Sequence, residues 1–148
     1  MNRFIILYIL LGPIIALGHS YQRETDSIKQ LIKTSISATK KIELYTQLGQ
    51  YCIESNNHTE ALDYFILALN LCKQPMQDSL KIVCYNQISR IFFYQKNFAK
   101  SDYYNNLALK LSKENPLLEG DYYKRKGDSY TSRFIYDSAR IYYAISEK

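Results

Sequence analysis

The sequence repeats itself with a period of about 40 residues. Shifting the chain by 40 positions aligns ten residues of the stretch 45–71 with comparable residues of the stretch 85–111. A further shift of 38 positions brings 123–145 into the same register. Each copy reads as two amphipathic segments joined by a short polar turn. A constant period of this length, with two helices in each copy, predicts an all-α solenoid.

Small residues occupy the positions where the two helices of a copy should cross. Gly49 and Gly127 share one repeat position, although glycine inside a helix costs about 1 kcal/mol relative to alanine. We therefore expect the second helix of each copy to approach closely at this point. The matching positions of the second helix are also small, and they are Ala61, Ser101 and Ala139. Four residues later, Phe65 and Tyr143 are expected to fill the space between helices.

Turn and capping residues predict where the repeat helices begin and end. We expect helices at 41–55, 58–73, 78–95, 98–113, 117–133 and 136–147. These helices group into repeats over about 41–74, 78–114 and 117–148 of the region 40–148. Asn57 and Asn97 are expected to cap the second helices of their copies. Asn115 and Pro116 open the third copy, with the asparagine as the cap and proline at the first helical position.

A polar lead-in over 21–39 precedes the repeats. A helix is expected at 24–35, and it covers the open face of the first repeat, as the end of a repeat array requires. Its apolar stripe, at helical spacings of three and four, consists of Ile28, Leu31, Ile32 and Ile36.

The repeat pattern resembles the tetratricopeptide repeat. That family has an aromatic residue, a Leu-Gly pair and a second aromatic in the first helix, followed by alanine, an aromatic and alanine in the second. The first copy reads Tyr45, Leu48, Gly49, Cys52, Ala61, Phe65 and Ala68. The second copy reads Tyr85, Ile88, Ser89, Phe92, Ser101, Asn105 and Ala108. The third copy reads Tyr123, Gly127, Tyr130, Ala139, Tyr143 and Ser146.

The resemblance implies a right-handed α-solenoid of about three tetratricopeptide-like helical hairpins. This sequence departs from the family pattern in three respects. Its period exceeds the usual 34 residues. Lys126 occupies a position that is normally apolar, and Asn105 occupies the place of an aromatic residue.

The resemblance also implies that the first helices of the copies line a concave groove for an extended peptide or a partner helix. The groove positions carried over from the register are Glu43, Thr46, Gln50, Glu54, Asn86, Arg90, Phe93, Tyr94, Lys124, Asp128 and Thr131. This set is polar with some aromatic surface, which suits a peptide held by hydrogen bonds. A groove that is only solvated is the alternative. The family's clamp for a terminal carboxylate uses lysine and asparagine, and Thr46, Gln50 and Asp121 replace them here, so that ligand is not expected.

Residues 1–20 have the three parts of a secretory signal peptide. Arg3 lies close to the amino terminus, 4–17 is almost wholly apolar, and Ala16 and Gly18 precede the expected cleavage site. The apolar run is short for a membrane span, which needs about 20 residues. An uncleaved membrane anchor is the alternative to cleavage. In both cases we expect the protein to be exported to the periplasm or cell envelope, with membrane contact only through this segment.

The order of a signal peptide, a polar helix and 40-residue repeats is similar to the exported sensor region of bacterial tetratricopeptide-containing regulators. This resemblance implies a protein- or peptide-binding module that forms the input part of a signalling or regulatory protein. Two alternatives stay open. One is a stand-alone periplasmic scaffold for envelope protein assembly, and the other is a carbohydrate-binding accessory protein.

Residues that could carry chemistry are sparse, so we expect no enzyme, cofactor or metal site. His58 occupies a packing position, and His19, the only other histidine, lies at the expected cleavage site. The net charge of +5 is spread without a basic stripe, so no nucleic-acid partner is expected. Cys52 is expected to be a buried free thiol. Whether Cys72 and Cys84 form a disulfide is left open, since the three cysteines have no zinc-site spacing.

Tyrosine is abundant, with 15 residues. Most of these residues fall at positions between helices. Four do not, and are expected to be exposed contacts: Tyr51, Tyr94, Tyr103 and Tyr122. At the last helix, Tyr143, Ala144 and part of Ile145 are expected to lack a neighbour, which favours either a truncated protein or self-association through this end of the array.

Overall fold

The computed structural model describes residues 22–73, 75–112 and 116–147. Within these ranges the chain forms helices and no strand. The helices are α1 (22–34), α2 (Ala38–Glu54), α3 (His58–Leu71), α4 (Asp78–Tyr94), α5 (Phe98–Ser112), α6 (Pro116–Ser132) and α7 (Tyr136–Ser146), with a 3-10 turn at Pro75–Gln77. The expected all-α class is confirmed, and the helix ends lie within three residues of the predicted ones. The expected signal segment 1–20 and the expected cap Asn115 lie outside the described residues.

Two of the predicted caps are present as side-chain hydrogen bonds. The Asn57 Oδ1 atom accepts from the backbone N–H of Glu60 at 3.3 Å, and the Asn97 Oδ1 atom accepts from the N–H of Lys100 at 3.2 Å. Each bond satisfies one of the unpaired amides that open a helix. The asparagines therefore fix the starts of α3 and α5.

The three turns that join α2 to α3, α4 to α5 and α6 to α7 share one backbone geometry. Each contains one non-glycine residue in the left-handed region, namely Asn56 (φ 61), Lys96 (φ 57) and Phe134 (φ 61). The next residue then donates its N–H to the carbonyl five positions earlier, at 2.7, 2.8 and 3.0 Å respectively. This arrangement is the Schellman type of helix end. The repetition seen in the sequence thus extends to the path of the backbone.

The helices pack in consecutive pairs. The most extensive contacts join α2 with α3, α4 with α5, and α6 with α7. Smaller contacts join α3 with α4, α5 with α6, and α2 with α4. The main core runs through the first two pairs, and its buried members are Ile42, Cys52, Ala61, Phe65, Ala68, Cys72, Cys84, Ile88 and Ile91.

The helix α1 covers the first pair through fewer residues than expected. Ile28 is buried against Leu44 and Leu48, and Ile32 packs beside them. The prediction that the whole stripe packs on the first pair is wrong for its other two members, since Leu31 is 51% exposed and Ile36 is fully exposed. Ile36 follows the end of α1, so helical spacing does not apply to it. Leu31 lies on the opposite side of Ile28 from Ile32 around the helix.

Close packing at the small residues is confirmed. A Cβ atom added at Gly49 would lie 2.7 Å from the Phe65 Cζ atom, and one added at Gly127 would lie 2.6 Å from the Tyr143 Cε1 atom. Real Cβ atoms essentially never approach so closely. In the first and third pairs, the absence of a side chain on one helix therefore makes room for an aromatic ring on the other.

All three cysteines are free and buried, so Cys72 and Cys84 form no disulfide in this structure. Burial raises the pKa of the Cys52 thiol and of the Cys84 thiol, each from 9.0 to about 11. Since the native state holds these protons more tightly than the unfolded chain, the stabilisation from this effect is complete below pH 9 and is lost as the pH rises towards 11.

We expect iodoacetamide at pH 7.5 to modify Cys52 and Cys84 at least about 100-fold more slowly in the native chain than in urea, because the thiolate is the reactive form and a pKa shift of two units lowers its fraction about 100-fold. Mass spectrometry of timed samples measures the rates. The urea-unfolded chain is the control. Native and unfolded rates within tenfold of each other would contradict the buried placement of both thiols.

Candidate functional site

The groove residues predicted in the first copy mostly contact other protein groups. The hydroxyl of Thr46 donates to the carbonyl of Ile42 at 2.8 Å and lies 3.6 Å from the Cys84 Sγ atom of α4. The Gln50 side chain donates to Glu54 at 2.8 Å. It also accepts a long hydrogen bond, 3.4 Å, from the Arg90 Nη2 atom. Thr46 and Gln50 therefore connect α2 to α4.

A pocket of about 140 Å³ lies where α4, α5 and α6 meet. Four of the predicted groove residues line it: Arg90, Phe93, Tyr94 and Asp128. The other lining residues are Ser89, Ser101, Asn105 and Arg125. The pocket thus draws one set of side chains from the second helix pair and another from the first helix of the third pair.

The remaining predicted groove residues do not line this pocket. Lys124 is exposed on α6. Thr131 donates to the carbonyl of Gly127 at 3.0 Å and lies 3.3 Å from the Tyr143 hydroxyl. The Asn86 Oδ1 atom is buried without a hydrogen-bond partner in the described residues. Glu43 is exposed and pairs with Lys40 at 3.2 Å.

The pocket exists because Asn105 stands where the other pairs have an aromatic ring. Phe65 and Tyr143 occupy the equivalent position and fill the space against Gly49 and Gly127. The shorter Asn105 leaves that space open, and the facing residue is Ser89 instead of glycine. An asparagine at a position that is aromatic in the other two copies is therefore the sequence signal that could have indicated this pocket.

The floor of the pocket is polar, and some of its groups form hydrogen bonds with each other. The Ser89 hydroxyl donates to the carbonyl of Ser101 at 2.9 Å, and the two serine Oγ atoms lie 3.0 Å apart. Asn105 is 2% exposed, and its Oδ1 atom is buried without a partner in the described part of the chain. An unpaired buried acceptor costs about 1–3 kcal/mol. The floor therefore offers a strong position for a ligand's N–H or O–H donor.

Two arginines give the pocket its positive charge. The Nε atoms of Arg90 and Arg125 are both buried without a hydrogen-bond partner, and within the described ranges neither guanidinium forms an ion pair. Burial lowers the pKa of Arg125, while the charges of Asp121 and Asp128 act in the opposite direction. Sequence reasoning missed Arg125, since it lies one turn before Asp128 at a position the register does not assign to the groove.

One carboxylate and two aromatic rings complete the walls. The Tyr143 hydroxyl donates to the Asp128 Oδ1 atom at 2.8 Å, so this carboxylate is already partly satisfied. The rings of Phe93 and Tyr94 meet edge to face with centroids 5.8 Å apart. Tyr94 is 58% exposed, which leaves its ring accessible to a ligand at the rim.

The other tyrosine expectations have mixed outcomes. Tyr103 is exposed, as predicted, while Tyr51 is only half-buried. The prediction of exposure is wrong for Tyr122, which is buried and donates its hydroxyl to the Asn106 Oδ1 atom of α5 at 2.8 Å. Its place between α5 and α6 depends on how the pairs stack, which the register alone does not specify.

In the last helix, α7, the side chain of Tyr143 contacts the neighbouring helix α6. Tyr143 is half-buried and lies against Gly127, so the expectation that it lacks a neighbour is wrong. Ala144 and Ile145 are exposed, as expected.

The residues of the pocket can hold a ligand through guanidinium donors, carboxylate and amide acceptors, and aromatic surface. Over the three described ranges, no group of three or more histidine, cysteine or carboxylate side chains is placed to bind a metal ion. None of the described helices has the length and apolar character of a membrane span. No family model matches the chain, and the comparison with curated proteins gives no significant match.

Proposed function

We propose that this protein is a binding module that holds an extended peptide, or an extended segment of a partner protein, along α2, α4 and α6. The observation that carries the proposal is the pocket in which Arg90, Phe93 and Tyr94 of α4 meet Asp128 of α6. Extended peptides bind through hydrogen bonds to their backbone and through pockets for their side chains, and this surface offers one such pocket with polar and aromatic walls.

A tetratricopeptide-like, right-handed α-solenoid is the architecture we propose for the helix pairs. Three properties support it. The turns within the pairs share one geometry, small residues stand at the helix crossings of the first and third pairs, and contacts run from each pair to the next. In such an array the first helices of the pairs lie side by side, consistent with the contacts between α2 and α4.

The aromatic residues at the rim are suited to anchor a ligand. Aromatic and arginine side chains are the commonest sites of large binding energy at protein interfaces. Phe93 also packs edge to face on Phe98 at 6.0 Å, and Tyr94 lies 6.1 Å from the His58 ring. Because these rings are already held by neighbours, little conformational freedom is lost when a ligand contacts them.

We place this activity outside the cytoplasm, as the input part of a bacterial signalling or regulatory protein. The support is the signal-peptide pattern of Met1 to Ser20 together with the repeats that follow it. In this role, binding of a peptide in the envelope would be the event that the regulator detects.

A phage-displayed library of random 12-residue peptides, selected on the full chain purified in mild detergent, tests the proposal. We expect peptides to be enriched over a detergent-only control, with Kd values measurable by fluorescence anisotropy. The change Arg90→Glu should weaken Kd by about 30-fold or more, because it reverses a charge in the pocket. The exposed Lys124 lies outside the pocket, so Lys124→Glu, the same charge reversal, should change Kd less than threefold.

Thermal melting of both variants confirms that they are folded before binding is measured. The proposal fails if no peptide is enriched, or if the Arg90→Glu variant binds with the affinity of the parent chain.

A further inference from the structure

We infer that the pocket beside Asn105 receives an acidic side chain of the bound segment, with the ligand carboxylate facing Arg90 and Arg125. The inference rests on the proposed function, since it specifies which residue of a peptide ligand the pocket selects. It names an internal aspartate or glutamate, not the end of the peptide chain.

The first step concerns charge. Two other cationic side chains, Lys126 and Arg133, lie within 4 Å of Asp102, at 3.3 and 3.9 Å. Within the described ranges, Arg90 and Arg125 have no such partner, although both line a pocket and both have a buried Nε–H. A carboxylate accepts from a guanidinium through two parallel hydrogen bonds, which are among the strongest in proteins.

The second step concerns Asp128, the one carboxylate that already lines the pocket. It is exposed, and its Oδ1 atom accepts from the Tyr143 hydroxyl at 2.8 Å. The charge of Asp121, which is not among the lining residues, also acts on Arg125. Among the side chains that line the pocket, two guanidinium groups and one carboxylate leave a charge of +1. A ligand carboxylate would balance that charge, whereas a lysine or arginine of the ligand would increase it.

The third step concerns the acceptor on the floor. The Asn105 Oδ1 atom is buried without a partner among the described residues, so a ligand that brings a donor as well as an anion would be favoured. An aspartate or glutamate within a peptide has both, because its side chain carries the carboxylate and its backbone carries an N–H. Sulfate has no donor, so it would leave Asn105 unsatisfied.

The fourth step concerns how many such pockets the repeats form. The equivalent positions in the first and third helix pairs are filled by Phe65 and Tyr143, which contact the facing glycines. Only the middle pair of the described repeats has an asparagine there, facing Ser89. We therefore expect one acidic position of the ligand to dominate binding.

The test uses the tightest peptide selected on the full chain. Each acidic residue is replaced in turn by its amide, glutamate by glutamine or aspartate by asparagine. We expect one replacement to weaken Kd at least tenfold against the parent chain. Against the Arg125→Gln variant, that same replacement should weaken Kd by a clearly smaller factor than against the parent chain, because one of the two charges that the carboxylate faces is already absent. The Arg90→Gln variant gives a second, independent cycle should Arg125→Gln fail to fold.

A peptide with an amidated carboxyl terminus distinguishes the two sources of a carboxylate. We expect amidation to leave Kd unchanged. If amidation abolishes binding, the ligand group is the chain terminus and the inference is overturned. It is also overturned if peptides bind but no acidic position matters, and the proposed binding function then still stands. Failure of every peptide to bind would instead overturn the function and the inference together.

Discussion

Replacing Phe65 by alanine is expected to lower the free energy of unfolding by about 3–5 kcal/mol. Phe65 is fully buried, and its ring lies against the bare backbone of Gly49. Because glycine has no side chain to move into the space, the cavity left by the ring would remain largely open. Since domains of this size are stable by only about 5–15 kcal/mol, the loss would be a large part of the total.

Urea unfolding followed by helical circular dichroism measures this change. The neighbouring residue Ile66, on the same helix, is 45% exposed and provides a matched control. We expect Ile66→Ala to cost less than about 1 kcal/mol, as exposed substitutions usually do. Equal losses for the two variants would show that Phe65 does not occupy the core position described above.

Replacing Asn105 by phenylalanine is expected to destabilise the chain by about 1–3 kcal/mol, although it restores the aromatic residue found in the other copies. Facing it is Ser89, which has a Cβ atom where the first pair has none. A Cβ atom at the equivalent Gly49 would lie 2.7 Å from the ring of Phe65. The new ring would therefore collide with Ser89 or be forced into an unfavourable rotamer.

Adding Ser89→Gly to Asn105→Phe should recover most of that loss. Alone, Ser89→Gly removes the hydrogen bond to Ser101 and introduces a helical glycine, so it should destabilise the chain by about 1 kcal/mol or more. In combination the two changes recreate the glycine–aromatic pair of the other copies. We expect a favourable coupling energy of about 1–3 kcal/mol in the double-mutant cycle.

Urea unfolding of the four proteins gives the coupling energy, and anisotropy with a selected peptide gives the effect on the pocket. The double variant should be folded but should no longer bind, because the ring occupies the pocket. A coupling energy of zero would mean that Ser89 and Asn105 do not face each other.

Most of the fold could be predicted from the sequence because the sequence repeats. The caps at Asn57 and Asn97 lie one repeat apart and the tight contacts of Gly49 and Gly127 lie two repeats apart, so one copy predicts the next. What the repeat could not predict depends on contacts between pairs. Tyr122 was expected to be exposed because its own helix gives no reason to bury it, yet α5 covers it.

The candidate site, too, could be predicted from the repeat only in part. The resemblance to tetratricopeptide repeats, applied through the register, predicted one groove for Arg90, Phe93, Tyr94 and Asp128. The structure brings these four residues to one pocket. The pocket itself is produced by the small size of Asn105, and by Arg125 reaching it from another helix pair. A repeat alignment describes which residues are equivalent, and it does not describe the empty volume left where one of them is smaller.

The ion pair between Asp102 of α5 and Lys126 of α6, at 3.3 Å, has a mechanical consequence. The walls of the pocket belong to two different helix pairs, so a change in the angle between these pairs would change the width of the pocket. Asp102, which lies 3.3 Å from Lys126 and 3.9 Å from Arg133, would limit that change. A ligand bound to both Arg90 and Arg125 would favour one angle between the two helix pairs over others. Ligand binding would then change the arrangement of the helix pairs.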